Sequence, residues 1–141
     1  MGSETKYVVV TPVRDEEEFI TLTIGCMLRQ SLRPVEWVIV NDGSTDNTGV
    51  VIDQHARQHP WIHAVHRPNR GFRKAGGGVV EAFNDGYASL ACREWDFIVK
   101  FDGDLSFGPD YFQKRCSRPS RCDPAARSGH WRRRSRRRHW C

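Results

Sequence analysis

Two carboxylates in this sequence, Asp102 and Asp104, are separated by one glycine and follow directly on a short apolar stretch. That stretch, Phe97-Ile-Val-Lys-Phe101, has the length and partly β-branched composition of a buried strand in a parallel sheet. Ligands of open α/β sheets bind beyond the carboxyl ends of the strands, where two carboxylates can hold a divalent cation that bridges to phosphates. An ordinary polar turn is the alternative. Gly103 is expected to leave the backbone free to bend.

A second acidic loop follows another apolar stretch. Residues 37–40 are all apolar and are predicted to form a buried strand. The next eight residues are rich in Gly, Asp and small hydroxyl or amide side chains, which form turns and cap helices. We therefore assign Ser44, Thr45 and Asp46 a structural role at the start of a helix over about 47–58. Asp42 is different, because it stands at the carboxyl end of the strand, where a ligand would lie.

A basic, glycine-rich loop spans residues 67–78 and precedes a helix predicted over about 79–91. Arg and Lys side chains, together with backbone amides at a helix start, favour phosphate. The loop matches neither of the common glycine-rich phosphate-binding patterns. A flexible solvated loop is the alternative interpretation.

The segments between these loops alternate between strand and helix. Tyr7–Thr11 is a β-branched strand that Pro12 is expected to end. Residues 16–30 have apolar side chains at helical spacing, and Asp15, with Glu18 three residues later, is the expected N-cap of this helix. A short third strand follows the second helix. The order β-α-β-α-β-α-β predicts an α/β fold with a parallel sheet.

In such a sheet the acidic loops and the basic loop would meet, because the carboxyl ends of parallel strands share one rim. Acids for a cation, basic groups for a diphosphate and a polar crevice for a nucleoside would then form one site. This convergence favours a ligand site over an isolated turn at Asp102–Asp104.

Four motifs, in this order and at this spacing, resemble the nucleotide-sugar-binding half of family 2 glycosyltransferases. They cover about residues 6–114 and read Thr11-Pro-Val-Arg-Asp-Glu16, Val40-Asn-Asp-Gly-Ser-Thr-Asp-Asn-Thr48, Asn69-Arg-Gly-Phe-Arg-Lys-Ala-Gly76 and Phe101-Asp-Gly-Asp104. The resemblance implies a Rossmann-like GT-A half-domain with a mostly parallel sheet. It also implies transfer of a sugar, with inversion, from a nucleotide-diphosphate donor to an acceptor, assisted by Mg²⁺ or Mn²⁺. The resemblance does not specify the donor sugar, its base or the acceptor. A lipid phosphate and a glycan are the two acceptor classes considered.

The resemblance further implies roles for individual residues near the nucleoside. Thr11, Pro12 and Glu16 would line its pocket, and Asp42 would hydrogen-bond the base or the ribose. Many relatives have Tyr-Asn where this chain has Arg14-Asp15, a difference that bears on how the pocket stacks the base.

The remaining implied roles concern the diphosphate. Asp102 would face the ribose or the metal, Asp104 would ligate the metal, and Arg73 and Lys74 are candidates for donor contacts. Departure of the leaving group puts negative charge on the diphosphate, which a bound divalent ion neutralises. The general base that activates the acceptor hydroxyl comes, in this family, from the half of the domain after the Asp-x-Asp pair. No catalytic base is therefore assigned, and the 141-residue chain is expected to be inactive alone.

The end of the chain has a different composition. Residues 115–141 contain ten Arg, no Lys, one acid and no Val, Ile, Leu, Met or Phe, for a net charge of +9, whereas the first 114 residues carry −4. Because such a segment has no aliphatic side chains to bury, we place a boundary near Lys114 and expect a disordered Arg-rich tail. Three interpretations are open: out-of-frame sequence, a basic arm that binds nucleic acid, or part of a nucleotide-binding pseudoenzyme that acts with a partner.

Cysteine usage and hydropathy bear on the compartment. The five Cys form no Cys-x-x-Cys pair, and no apolar run approaches the ~20 residues of a membrane span. We expect reduced thiols and a cytoplasmic protein without a membrane span. Because the last predicted strand would lack a neighbour, we also expect the isolated chain to be marginally stable.

Overall fold

The computed structural model describes residues 4–71 and 77–117, together with the backbone of residues 129–133. The predicted alternation of strands and helices is confirmed, with element ends that differ from the predicted ones by at most three residues. Within the described ranges, no helix is both long enough and apolar enough to cross a membrane. The elements are β1 (Tyr7–Val13), α1 (Glu17–Leu28), β2 (Glu36–Asp42), α2 (Thr48–Gln58), β3 (Ile62–Arg67), α3 (Gly77–Ala88), β4 (Phe97–Phe101), α4 (Tyr111–Cys116) and β5 (Gly129–Arg133).

The strands form one sheet in the order β3-β2-β1-β4-β5. The first four are parallel, and β1 lies at their centre, with Val9 opposite Trp37 on β2 and Val99 on β4. The predicted mostly parallel α/β sheet is therefore confirmed. Because the four parallel strands point the same way, their carboxyl ends share one rim.

Both faces of the sheet are covered. On one face, Val9 and Val13 of β1 share an apolar core with Ile20 of α1 and Ile52 of α2. On the other face, the alternate strand residues share an apolar core with Ala82 of α3 and with Leu90 just after it. These strand residues are Val8, Val10, Val38, Val40 and Ile98. Burial on both faces explains why the strand sequences are continuously apolar rather than alternating.

Two predicted element ends are wrong. Pro12 does not end β1, which runs on to Val13. Pairing of β1 with β4 stops at Val10, whereas pairing with β2 continues to Val13, so Pro12 lies where one side of the strand needs no N–H donor. Asp15 is not the helix N-cap: that position belongs to Glu16, without a side-chain cap hydrogen bond, and Asp15 has a left-handed backbone with φ of 53°.

The sheet has a fifth strand beyond β4. Helix α4 continues to Cys116, and β5 pairs antiparallel with β4, placing Arg133 opposite Phe97 and Gly129 opposite Phe101. The free edge of β4 offers backbone partners regardless of side-chain type, so this pairing needs no aliphatic side chains. The rest of the predicted tail, residues 118–128 and 134–141, lies outside the described residues.

Helix α3 packs closely against the sheet at Gly86. A Cβ atom at this position would lie 2.6 Å from Val10 Cγ1 and 2.7 Å from Val40 Cγ2. A glycine of α1, Gly25, has no such neighbour, since no atom lies within 4 Å of its added Cβ. The first glycine is needed for close packing, and the second is not.

We predict that Gly86→Ala lowers the free energy of unfolding by about 1–3 kcal/mol, because the added methyl group forces α3 away from the sheet. Gly25→Ala is the matched control and should be neutral or stabilising by up to about 1 kcal/mol, because alanine favours the helix. Urea unfolding followed by circular dichroism measures both. Equal losses for the two variants would contradict the packing described here.

Candidate functional site

Polar turns follow the carboxyl ends of three neighbouring strands. β1 leads into residues 14–16, β2 ends at Asp42, and β4 is followed by Asp102. Because β1 lies between β2 and β4, two strand spacings separate the outer turns by about 10 Å. As predicted from the sequence, Asp42 and the Asp-Gly-Asp turn therefore stand on the same rim, separated by about the width of a nucleoside.

The Asp-Gly-Asp turn is closely packed at its centre and open at its sides. Asp104 is exposed and Asp102 is half-exposed, whereas Gly103 is buried. A Cβ at Gly103 would overlap Val13 and the carboxylate of Glu16, and Gly103 is not among the glycines with positive φ. The prediction that Gly103 is needed to let the backbone bend is thus wrong: a glycine is needed here because no side chain would fit between Val13 and Glu16. The same contact brings Glu16 to the two aspartates.

A lysine that sequence analysis missed also belongs to this turn. Lys100 Nζ lies 2.8 Å from Asp102 Oδ1. Successive strand residues point to opposite faces, so residues two apart, such as Lys100 and Asp102, lie on the same side. This spacing could have predicted the pair from the sequence. One of the two candidate metal ligands is therefore paired with a cation of the chain itself.

Asp42 lies in a network of ion pairs. Arg67 Nη1 donates to Asp42 Oδ1 at 2.6 Å, and Arg70 Nη2 donates to Oδ1 and Oδ2 at 3.2 and 3.1 Å. Acids of helix α3 also pair with both guanidinium groups. Glu81 Oε2 accepts from Arg70 Nη1 at 2.5 Å, and Asp85 Oδ2 lies 2.7 Å from Arg67 Nε. The side chain of Asp42 is only 11% exposed, so these pairs are partly shielded from solvent screening.

Gly43 explains why the basic loop reaches Asp42. Its φ of 69° lies in the left-handed region, and a Cβ there would lie 2.5 Å from Asn69 Cα. Both the conformation and the close approach require glycine. The end of β2 therefore contacts the segment that carries Arg70.

The turns after β1 and β2 are hydrogen-bonded to each other. The Asp15 amide donates to Ser44 Oγ at 3.0 Å, and the Thr45 amide donates back to Asp15 Oδ1 at 2.7 Å. The Glu16 amide donates to Thr48 Oγ1 at 2.9 Å. Side chains of one turn thus satisfy amides that a helix start leaves without partners in the other.

Asp46 completes this arrangement at the start of α2. Its Oδ1 accepts hydrogen bonds from the Thr48 amide at 2.9 Å and from Thr48 Oγ1 at 2.5 Å. Partial burial would raise the pKa of Asp46, but the hydrogen bonds from Thr48 and Glu17 outweigh it and hold the pKa below its ordinary value. Of the three residues predicted to have a structural role at the start of α2, Asp46 bonds the first amide of the helix, whereas Ser44 and Thr45 bond Asp15 in the turn after β1 instead.

The other predicted site residues are placed differently. Thr11 is fully buried, and its Oγ1 accepts a hydrogen bond from Trp37 Nε1 at 2.9 Å, so its hydroxyl serves the interior. Pro12 is partly exposed at the rim. Arg73 and Lys74 fall outside the described residues.

Asp102 and Asp104 form a donor set that fits a magnesium or manganese ion. Both ions prefer oxygen ligands, and Mg²⁺ usually binds through one or two carboxylates together with phosphates and waters. In residues 4–71 and 77–117, no group of three or more His, Cys, Asp or Glu side chains could hold a metal. Two carboxylates alone match a cation that binds jointly with a diphosphate.

Most of the chain matches the model of a known family of transferases. Residues 8–118 match the family model of glycosyl transferase family 2. The chain belongs to this family.

Curated relatives agree with this assignment. The chain is 30% identical over 106 residues to the uncharacterized glycosyltransferase EpsJ of Bacillus subtilis, covering 75% of this chain and 28% of EpsJ. It is 30% identical over 105 residues to the undecaprenyl-phosphate mannosyltransferase of Micrococcus luteus, covering 74% of this chain and 40% of that protein. The chain therefore spans less than half the length of these relatives.

Solved structures agree on the fold. Residues 1–349 of Staphylococcus aureus TarS superpose with a TM-score of 0.62 at 22% identity over 79% of this chain and 31% of that fragment. The Pyrobaculum calidifontis mannosyltransferase PcManGT, solved with GDP-Man and Mn²⁺, gives a TM-score of 0.51 at 20% identity over 70% of this chain and 27% of that chain. TarS has also been solved with UDP-GlcNAc.

We predict that Asp42→Asn lowers the free energy of unfolding by about 1–2 kcal/mol, because Arg67 and Arg70 lose a charged acceptor at a poorly exposed position. Asp53→Asn is the control, since Asp53 is an exposed acid paired with His66 at 2.8 Å and its loss should change stability by less than about 0.5 kcal/mol. Thermal melts at low salt compare them. A loss no larger for Asp42→Asn than for Asp53→Asn would contradict the role of the network.

Proposed function

We propose that this chain binds a nucleotide-diphosphate sugar together with Mg²⁺ or Mn²⁺ and forms the donor-binding part of an inverting glycosyltransferase. The observation that carries the proposal is the shared rim. Within a family 2 domain, the Asp-Gly-Asp turn, Glu16 and Asp42 stand at neighbouring strand ends, with the outer two strands about 10 Å apart across β1.

Each residue has a role that suits its chemistry. Asp104 and Asp102 would hold the cation, which would neutralise the charge that develops on the leaving diphosphate. Asp104 suits direct ligation because its side chain is exposed.

The nucleoside is bound across β1. Pro12 and Glu16 line the pocket between the two acidic turns, and Asp42 accepts a hydrogen bond from the base or the ribose. Thr11 is fully buried and its hydroxyl is already used by Trp37, so Thr11 supports the pocket from within the strand and does not contact the nucleoside. Arg73 and Lys74 stay predicted donor contacts.

The ligands of the structural neighbours support a nucleotide sugar as donor. TarS has been solved with UDP-GlcNAc and PcManGT with GDP-Man and Mn²⁺. UDP-GlcNAc and GDP-Man differ in both base and sugar, so the proposal names nucleotide-diphosphate sugars as the donor class and no single donor compound. Nucleic-acid binding by residues 115–141, and a cytoplasmic location, stay predictions from the sequence.

Asp104→Asn should weaken Mn²⁺-dependent binding of UDP by about tenfold or more, because the cation loses a carboxylate ligand. Asp96→Asn is the matched control: it removes the same charge just before β4, at the opposite end of the parallel sheet, and should leave the affinity unchanged. Isothermal titration with UDP and with GDP, with and without MnCl₂, measures this. Absence of any Mn²⁺-dependent uptake of either nucleotide by the folded, unsubstituted chain would sink the proposal.

The 141-residue chain should bind the donor without transferring the sugar to an acceptor. It covers 28–40% of the length of the two relatives above, and the general base expected of the family lies beyond the Asp-x-Asp pair. Incubation with radiolabelled UDP-sugars or GDP-sugars and lipid-phosphate or glycan acceptors tests this. Acceptor-dependent product formation would contradict it, and the undecaprenyl-phosphate mannosyltransferase of Micrococcus luteus is the positive control.

A further inference from the structure

Lys100 places a positive charge inside the candidate metal site. It stands in β4 opposite Val10 of β1, two residues before Asp102, and its Nζ lies 2.8 Å from Asp102 Oδ1. The side chain of Lys100 is 27% exposed and that of Asp102 is 50% exposed. One of only two carboxylates in the turn is therefore neutralised by the chain itself.

We infer that Lys100 occupies the cation position at Asp102 until a divalent ion arrives, and so makes metal binding depend on the diphosphate. The inference rests on the proposed function. A divalent ion that approaches Asp102 must either displace the ammonium group or stand close to it, and both weaken the binding of the ion. A diphosphate removes this conflict, because its oxygens accept from the released ammonium group and ligate the ion at the same time.

A comparison within the chain separates this pair from an ordinary surface ion pair. Lys114 and Asp110 also form a short pair, at 2.6 Å, but their side chains are 73% and 49% exposed and neither belongs to the Asp-Gly-Asp turn. Pairs of that kind contribute little because water screens them. Lys100 is held on a strand, is less exposed, and faces a group that a metal ion would need.

The test is a titration of the full 141-residue chain with MnCl₂ alone, followed by the electron paramagnetic resonance signal of free Mn²⁺. Lys100→Met keeps the aliphatic stem and removes the charge, and it should tighten Mn²⁺ binding by about three- to tenfold. Lys100→Arg keeps a cation near Asp102 and should bind Mn²⁺ as the unsubstituted chain does. A gain in affinity is not what a damaged fold would produce.

Lys6→Met is the matched control for net charge. Lys6 directly precedes β1, at the opposite end of the sheet from the Asp-Gly-Asp turn, so its loss should not change Mn²⁺ affinity. Unchanged or weaker Mn²⁺ binding by Lys100→Met, or an equal gain in Lys6→Met, would overturn the inference.

Two further measurements test how Lys100 acts. In an Asp102→Asn background the gain from Lys100→Met should vanish, because the pair is already broken; a persisting gain would overturn action through Asp102. Saturating UDP should raise Mn²⁺ affinity by a larger factor in the unsubstituted chain than in Lys100→Met, and equal factors would also overturn it. Lack of UDP uptake by the unsubstituted chain would instead overturn the proposed function, whereas the titration with MnCl₂ alone would still decide the role of Lys100.

Discussion

Parallel pairing on both sides of β1 is the constraint on which the rest of this structure depends. β1 lies between β2 and β4 and points the same way as both. Its residues are buried on both faces, so the strand cannot slip without exposing apolar side chains. With the register fixed, the acids at the carboxyl ends of β2 and β4 must lie on the same rim of the sheet. Strand direction, rather than any contact between the acids, assembles the site.

The parts of the site that sequence could predict depend on patterns within a few residues. Continuous β-branched runs gave the strands, their alternation with helical spacing implied parallel pairing, and Asp42 and Asp104 followed from their places just after a strand. These inferences needed only strand direction, which the order of elements determines.

The parts that sequence could not predict depend on which side chains meet across the fold. Arg67 reaches Asp42 because the two residues stand opposite each other in the β2–β3 ladder. Arg70 reaches Asp42 because Gly43 lets the loop after β3 approach β2. The basic composition of that loop does not indicate which acid it contacts. The role of Gly103 was misjudged for the same reason, since its neighbours Val13 and Glu16 come from a distant part of the chain. Strand β5 was missed because composition describes side chains, whereas its pairing with β4 is made by the backbone.

The mutual hydrogen bonds between the turns after β1 and β2 have a consequence for recognition. The two turns fix each other through Asp15, Ser44, Thr45 and Thr48, so neither can rearrange alone. Their conformational freedom is lost when the chain folds and not when a guest molecule arrives. Under the proposed function, the wall of the nucleoside pocket is thus preorganised, and a change that loosens either turn would weaken both the folded state and nucleotide binding.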